Sequence, residues 1–417
     1  MQPAARTLLA LSLTLPFSAC GDDATGASAD ASDTNDTSSG DTTTTDGETT
    51  TDDTTTTDGE TTTTTTTTGD DQDFPPADEP GPYGVGFRTI DVTYTPAGFD
   101  EARTINVSIW YPTDDTNGDP TVYFDLITRD DVYLDATPVA GVHPVFAFSH
   151  GNGGIAEQSY FLTEHFASHG WIVVAPDHTG NTITDIDAAL IPDMVVLRPL
   201  DITAMLDEVY DLPASDPLAG LAGDVLVASG HSFGGYTTLA LAGGSFDVEA
   251  LIDECKVDPM GLVCSSLTPE RIEQLKAGFA DPRVDLALPL TPGAIAIFGD
   301  EGLGAIEVPT MLMTSLLDET TPNDQDGDPA WSGLQDPQDL RVDFLTGGHY
   351  TFTFACDAGL IEGDGCGDDF IAPAEAFGVI NTYALAFVRD RLWGDPTVQS
   401  ILDGSEPLSD VVTLVAH

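Results

Sequence analysis

Val85 to Tyr94 and Thr104 to Tyr111 alternate apolar and polar side chains, the period of strands with one face on a core and the other in water. Further along the pattern changes. Val145 to Ser149, Trp171 to Ala175 and Val225 to Ser229 are unbroken apolar runs, as strands buried on both faces of a parallel sheet require. Between them, Gln158 to His169 places Phe161, Leu162, His165 and Phe166 on one helical face, and Leu200 to Leu212 reads as a second helix. Ala294 to Phe298, Val308 to Ser315 and Leu340 to Leu345 are three further strand candidates, and Ala374 to Leu392 is a terminal helix. Strand and helix in alternation predict right-handed crossovers and an α/β fold with a mostly parallel central sheet flanked by helices. The expected single domain spans residues 80–395, with 396–417 as a C-terminal tail.

Ahead of residue 80 this patterning is absent. The first nineteen residues hold one basic residue, Arg6, and an apolar run from Leu8 to Phe17, then Ser18-Ala19-Cys20. So short a run predicts a signal peptide over 1–19 and no membrane span. Small residues before Cys20 match a bacterial lipoprotein cleavage site, so Cys20 is the expected lipidation site. Residues 20–79 are almost wholly Asp, Thr, Gly, Ser and Glu, with Thr-Thr-Asp-Gly-Glu-Thr-Thr occurring twice, around Asp46 and Asp58. Such a segment cannot bury a core and is expected to be a disordered, lipid-anchored linker. The chain is therefore expected to be an exported bacterial lipoprotein at the outer membrane or cell surface, with periplasmic or secreted placement as the alternatives. The lipid anchor would be its only membrane contact.

Charge narrows the partners. With 12 basic and 70 acidic residues, the formal charge is −58, which excludes nucleic acid as a natural partner. Beyond the linker 53 acidic residues still face 11 basic ones, so the folded domain is itself acidic. Setting Cys20 aside leaves Cys255, Cys264, Cys356 and Cys366, an even number in an exported chain; the simplest connectivity pairs Cys255 with Cys264 and Cys356 with Cys366. Asp115-Thr-Asn117-Gly-Asp119 and Asp324-Gln-Asp326-Gly-Asp328 look like pieces of calcium loops, but neither has the full spacing with a closing glutamate. Both are expected to be acidic turns, and no metal site is expected.

The candidate chemistry centres on Gly230-His231-Ser232-Phe233-Gly234-Gly235, placed between an apolar strand and a helical Tyr236 to Ala242. This reads as a nucleophile elbow, where side chains at Gly230 and Gly234 would collide as strand and helix approach. Upstream, Pro144 to Ser149 runs into the glycine-rich turn His150-Gly-Asn152-Gly-Gly154. Downstream, Asp318 follows one strand candidate and His349 another. The order Ser, Asp, His is that of the α/β-hydrolases, not of chymotrypsin or subtilisin. Ser232 is the expected nucleophile, His349 the base and Asp318 the acid, with Asp300, after the preceding strand candidate, as the alternative acid. The backbone N–H groups of Phe233 and Asn152 are the expected oxyanion hole. Two insertions, Gly180 to Pro199 and Cys255 to Pro292, stand where such folds carry specificity elements, and Met194 to Leu197 are apolar enough to line an acyl pocket.

Phe148-Ser-His-Gly-Asn-Gly, Ala167-Ser-His-Gly-Trp-Ile-Val-Val-Ala-Pro-Asp-His178 and the elbow together resemble the platelet-activating-factor acetylhydrolase group and the bacterial predicted dienelactone hydrolases near it. More loosely, the Leu-Asp-x-x-x-Pro turn is similar to that of cutinase-like polyester hydrolases. The resemblance spans roughly residues 83–393 and implies a carboxylic ester hydrolase that needs no cofactor, with Ser232, Asp318, His349, Asn152 and Phe233 in the roles above. Dienelactone hydrolases proper use cysteine where this chain has Ser232, which disfavours that activity. The expected function is a serine esterase acting through an acyl-enzyme on short-acyl or acetylated phospholipid-like esters. A cutinase-like polyester hydrolase or lipase is the alternative, and a non-catalytic binding module on a stalk is the alternative of another class.

Overall fold

The computed structural model of the chain describes residues 74–417. The expected signal peptide, Cys20 and the linker up to residue 73 lie outside the described residues.

Eleven strands form one sheet: β1 Gly84–Tyr94, β2 Arg103–Thr113, β3 Pro120–Tyr123, β4 Ile127–Leu134, β5 His143–Ser149, β6 Ile172–Pro176, β7 Ala222–His231, β8 Val284–Leu290, β9 Met311–Ser315, β10 Leu340–Phe344 and β11 Val412–Ala416. Their spatial order is β11-β10-β9-β8-β7-β5-β6-β2-β1-β4-β3. From β10 to β6 every neighbouring pair is parallel. β2 meets β6 antiparallel and β1 meets β2 antiparallel over eleven residue pairs. The helices are α1 Tyr160–Ser168, α2 Met194–Tyr210, α3 Phe233–Leu241, α4 Val248–Val257, α5 Pro269–Ala277, α6 Gly327–Gly333, α7 Pro373–Trp393 and α8 Gln399–Leu402.

The unbroken apolar runs are explained by burial on both faces of the sheet. Phe146, Phe148, Val173 and Ala175 point to one face and pack with Leu162 and Phe166 of α1 and with Val379, Ile380 and Ala384 of α7. Val145, Ala147, Ile172 and Val174 point to the other and pack with Ile202, Met205 and Leu206 of α2. Strand termini from β5 to β10 therefore share one edge, which is where an α/β sheet carries its ligands.

Four sequence expectations are corrected. Ala294 to Phe298 is not a strand: Ala294 has φ 58°, Gly299 has φ 70°, and Ile295–Phe298 between them is a short 3-10 turn. The sheet position belongs instead to β8, inside the stretch read as an insertion from Cys255 to Pro292; Asp285 and Pro289 interrupt its apolar run, and the Asp285 carboxylate accepts the Leu226 N–H at 2.9 Å. Residues 396–417 are not a tail, because β11 pairs antiparallel with β10 from Leu340↔Ala416 to Phe344↔Val412 and extends the sheet. The folded unit also starts before residue 80: Phe74 stacks on Trp393 with ring centroids 6.0 Å apart, and the Ala77 and Glu79 carbonyls accept from His165 and His169. Both short-range disulfides, Cys255–Cys264 and Cys356–Cys366, are present as expected.

Candidate active site

Ser232 joins β7 to α3 with φ 57° and ψ −118°, a conformation that a non-glycine residue adopts only when its surroundings hold it there. The turn is fixed from both sides, since the Ser232 N–H donates to Leu290 O at 3.0 Å and its carbonyl accepts from Gly235, Tyr236 and Gly293. The glycines are required by space. A Cβ on Gly230 would lie 2.4 Å from Gly234 O, and one on Gly234 would lie 1.8 Å from Ser149 O.

Asp318 follows β9 in a tight turn. Its Oδ1 accepts the N–H groups of Thr320 and Thr321 at 2.9 and 2.6 Å, and its Oδ2 accepts the Thr321 hydroxyl at 2.8 Å and His349 Nδ1–H at 2.9 Å. The carboxylate is therefore locked with one oxygen aimed at the imidazole. That contact puts the proton on Nδ1 and leaves Nε2 of His349 as a base. Ser232, Asp318 and His349 are all buried, Ser232 the most open of the three at 7% exposure. The carboxylate on the imidazole is that of Asp318, while Asp300 lies exposed after the 3-10 turn, where no strand end presents it.

The glycine-rich turn after β5 lies against Ser232, for a Cβ on Gly151 would be 3.3 Å from Ser232 Cβ. Phe233 opens α3, so its N–H has no carbonyl one turn earlier to bond. In the turn, Gly153 N–H goes to Asn181 O and Gly154 N–H to Gly151 O. Among the described residues no protein acceptor takes the N–H of Asn152 or of Phe233.

Several residues that frame the site were not singled out from sequence. Gln158 accepts the Gly151 N–H at 3.0 Å and donates to His231 Nδ1 at 2.9 Å, while His231 Nε2–H donates to the His349 carbonyl at 2.9 Å. Burial, then the nearby His349, hold His231 far below the usual histidine range, so it stays neutral and the chain of donors is fixed. Asp364, inside the Cys356–Cys366 loop, accepts the backbone N–H groups of His349 and Glu319 at 2.9 and 3.0 Å and the Thr320 hydroxyl at 2.6 Å. It ties the histidine loop to the acid turn. Asp326 lies nearby, its pKa raised to about 6 by burial first and by the charge of Asp318 after it.

A hydrogen-bonded Ser-His-Asp series lies behind the turn. Ser149 Oγ–H donates to His178 Nε2 at 2.9 Å, and His178 Nδ1–H donates to Asp201 Oδ2 at 2.8 Å. Ser149 is 1% exposed, and His178 and Asp201 are fully buried, so no carbonyl substrate can reach this serine.

Met194 to Leu197 do not line an acyl pocket. They form the first turn of α2 and are buried with Phe233 and Tyr236, whose hydroxyl donates to Val195 O at 2.7 Å. Exposed aliphatic side chains stand elsewhere around the site. Ile183 and Ile186 belong to the segment beside Gly153, and Leu316 and Leu317 immediately precede Asp318.

The Chlorophyllase family profile matches residues 130–270, about a third of the chain, a stretch that contains Asn152 and Ser232 but neither Asp318 nor His349. No curated protein matches the chain. Among solved structures, a ferulic acid esterase from Streptomyces cinnamoneus is similar at a TM-score of 0.54 and 21% identity, over 82% of this chain and 98% of that one. The parallel sheet, the strand-to-helix elbow and this structural likeness establish that the chain has the α/β-hydrolase fold.

Proposed function

We propose that this chain is a serine-dependent carboxylic ester hydrolase. The observation that carries the reading is the Asp318–His349 hydrogen bond at the same sheet edge as a serine held on a strained elbow, beside two unengaged N–H groups. In this reading Ser232 Oγ attacks the ester carbonyl carbon while its proton passes to His349 Nε2. Asp318 holds the ring and stabilises the imidazolium. The oxyanion is received by the N–H groups of Asn152 and Phe233. Collapse of the intermediate breaks the bond to the alcohol oxygen, which takes the proton from His349 and leaves an acyl-serine. Water then adds with His349 again as base, and the carboxylic acid departs.

The Chlorophyllase profile and the esterase neighbour support this reaction class. Short-acyl and acetylated phospholipid-like esters are the substrates that the sequence resemblance implies. The exposed Ile183, Ile186, Leu316 and Leu317 favour esters with a sizeable apolar part, as a cutinase-like hydrolase or lipase would take. Export and acylation at Cys20 belong to the same reading; a Cys20→Ala chain that still fractionated with membranes would remove the anchor from it.

The reaction is tested with the purified, disulfide-intact full chain on p-nitrophenyl esters from acetate to decanoate. Wild-type hydrolysis lost in Ser232→Ala is the expected result, and its chain-length profile separates a short-acyl esterase from a lipase. A folded wild-type protein that cleaves none of these esters, or activity that survives the substitution, would overturn the reading.

A further inference from the structure

Arg198, on α2, is fully buried behind the oxyanion turn, and each of its side-chain nitrogens donates to the protein. Nε and Nη2 donate to Asn181 Oδ1 at 2.9 and 2.6 Å. Nη1 donates to the His150 carbonyl at 2.5 Å and to Ser149 Oγ at 3.3 Å, and Nη2 to the Gly151 carbonyl at 2.9 Å, an oxygen that also accepts from His150 Nδ1–H at 2.7 Å and from the Gly154 N–H at 3.1 Å. The guanidinium also lies over the Phe233 ring, 4.7 Å from its centroid. Asn181 completes the frame: its side-chain amide donates to Asn152 Oδ1 at 2.7 Å, and its backbone carbonyl accepts the Gly153 N–H at 3.1 Å.

The consequence follows from peptide geometry. The Gly151 carbonyl and the Asn152 N–H belong to one peptide plane, and no cis peptide occurs among the described residues. In a trans peptide the two groups point in opposite directions. A donor that holds the carbonyl on the Arg198 side therefore aims the Asn152 N–H away from Arg198. The ring of Phe233, the residue whose backbone N–H is the other proposed oxyanion donor, is held by the same cation.

We infer that Arg198 is a positioning residue of the ester-hydrolysing site, a buried fork that sets the direction of the Asn152 N–H and braces Phe233, with Asn181 as its link to Asn152. The inference rests on the esterase reading above. Burial lowers the Arg198 pKa to about 9, which still leaves the group charged at neutral pH. A cation on the carbonyl end of a peptide also polarises that peptide and strengthens its N–H as a donor. Lysine supplies a point charge but not the planar fork, so it cannot hold His150 O, Gly151 O and Asn181 together.

Arg198→Lys and Asn181→Ala in the full chain test this, with a denaturation curve of each to report folding. Arg198→Lys is expected to lower kcat on p-nitrophenyl butyrate roughly 100-fold with KM nearly unchanged, as displacement of an oxyanion donor does. Asn181→Ala is expected to lower kcat roughly 10-fold in the same selective way. Affinity for an aryl trifluoromethyl ketone, which adds to the serine and places an oxyanion in the hole, is expected to fall in proportion to kcat/KM. A folded Arg198→Lys protein with wild-type kcat, or one in which KM rises while kcat and ketone affinity hold, would overturn the inference. Should Arg198→Lys fail to fold, wild-type kcat in Asn181→Ala would overturn it just as well. A wild-type chain inert on every ester would instead sink the esterase reading, and this inference with it.

Discussion

The places of Ser232, Asp318 and His349 after strands β7, β9 and β10 were legible because each follows an apolar run. Their supports were not legible. Arg198 meets Gly151, Gln158 meets His231 and Asp364 meets His349 only through the fold, although the lone charge of Arg198 inside Met194-Val-Val-Leu-Arg-Pro-Leu200 was a signal of a buried role. Asp300 illustrates the converse, since it was a candidate only because the segment before it passed for a strand. Asp326 supplies a pH test at this scale. Its folded pKa of about 6 lies above the ordinary 3.8, so the folded state holds a proton that the unfolded state has lost. The carboxyl therefore disfavours folding as pH rises from about 4 to about 6, and the cost is full above that range, at most roughly 3 kcal/mol. Asp326→Asn retains an oxygen for the Ile295 N–H and removes the charge. Urea denaturation is expected to find the variant more stable than wild type at pH 7.5 and no more stable at pH 3.5; equal stability at both would refute the assignment.

Among the elements, unbroken apolar runs were readable and interrupted ones were not. Val145–Phe148 of β5, Ile172–Ala175 of β6 and Val225–Ala228 of β7 are apolar without a break because both faces are covered, whereas β8 carries Asp285 and Pro289 and β11 exposes most of its side chains at the sheet edge. The disulfides were readable from spacing, but their different consequences come from position. Cys255–Cys264 bridges α4 to the turn after it, while the Cys356–Cys366 loop carries Asp364 and through it the backbone of His349. Replacing either pair with serine is expected to cost up to about 3 kcal/mol by the chain-entropy account. Only the Cys356→Ser/Cys366→Ser protein is expected to lose kcat as well, about 10-fold, because a loosened His349 loop misplaces the base. Equal kcat in the two double variants would show that Asp364 holds the histidine without help from the disulfide.

For the molecule as a whole, charge was readable from composition and its energetic effect follows from the fold. The 55 acidic and 11 basic residues of 74–417 are drawn together by folding, so like charges repel more in the compact state than in the open one. Added salt screens that repulsion, the Debye length shrinking from about 30 Å at 0.01 M to about 3 Å at 1 M. Thermal midpoints are therefore expected to rise steadily with sodium chloride over this range, and a fall would mean that ion pairs such as Arg103–Asp201 outweigh the repulsion.

The central claim is that Ser232, and not the buried Ser149, is the nucleophile. Reaction of the folded full chain with a fluorophosphonate, followed by peptide mass spectrometry, tests it most directly. The account predicts a single adduct on Ser232, formed at a rate that collapses in His349→Ala. An adduct on Ser149, or none on Ser232 in a protein that hydrolyses esters, would contradict it.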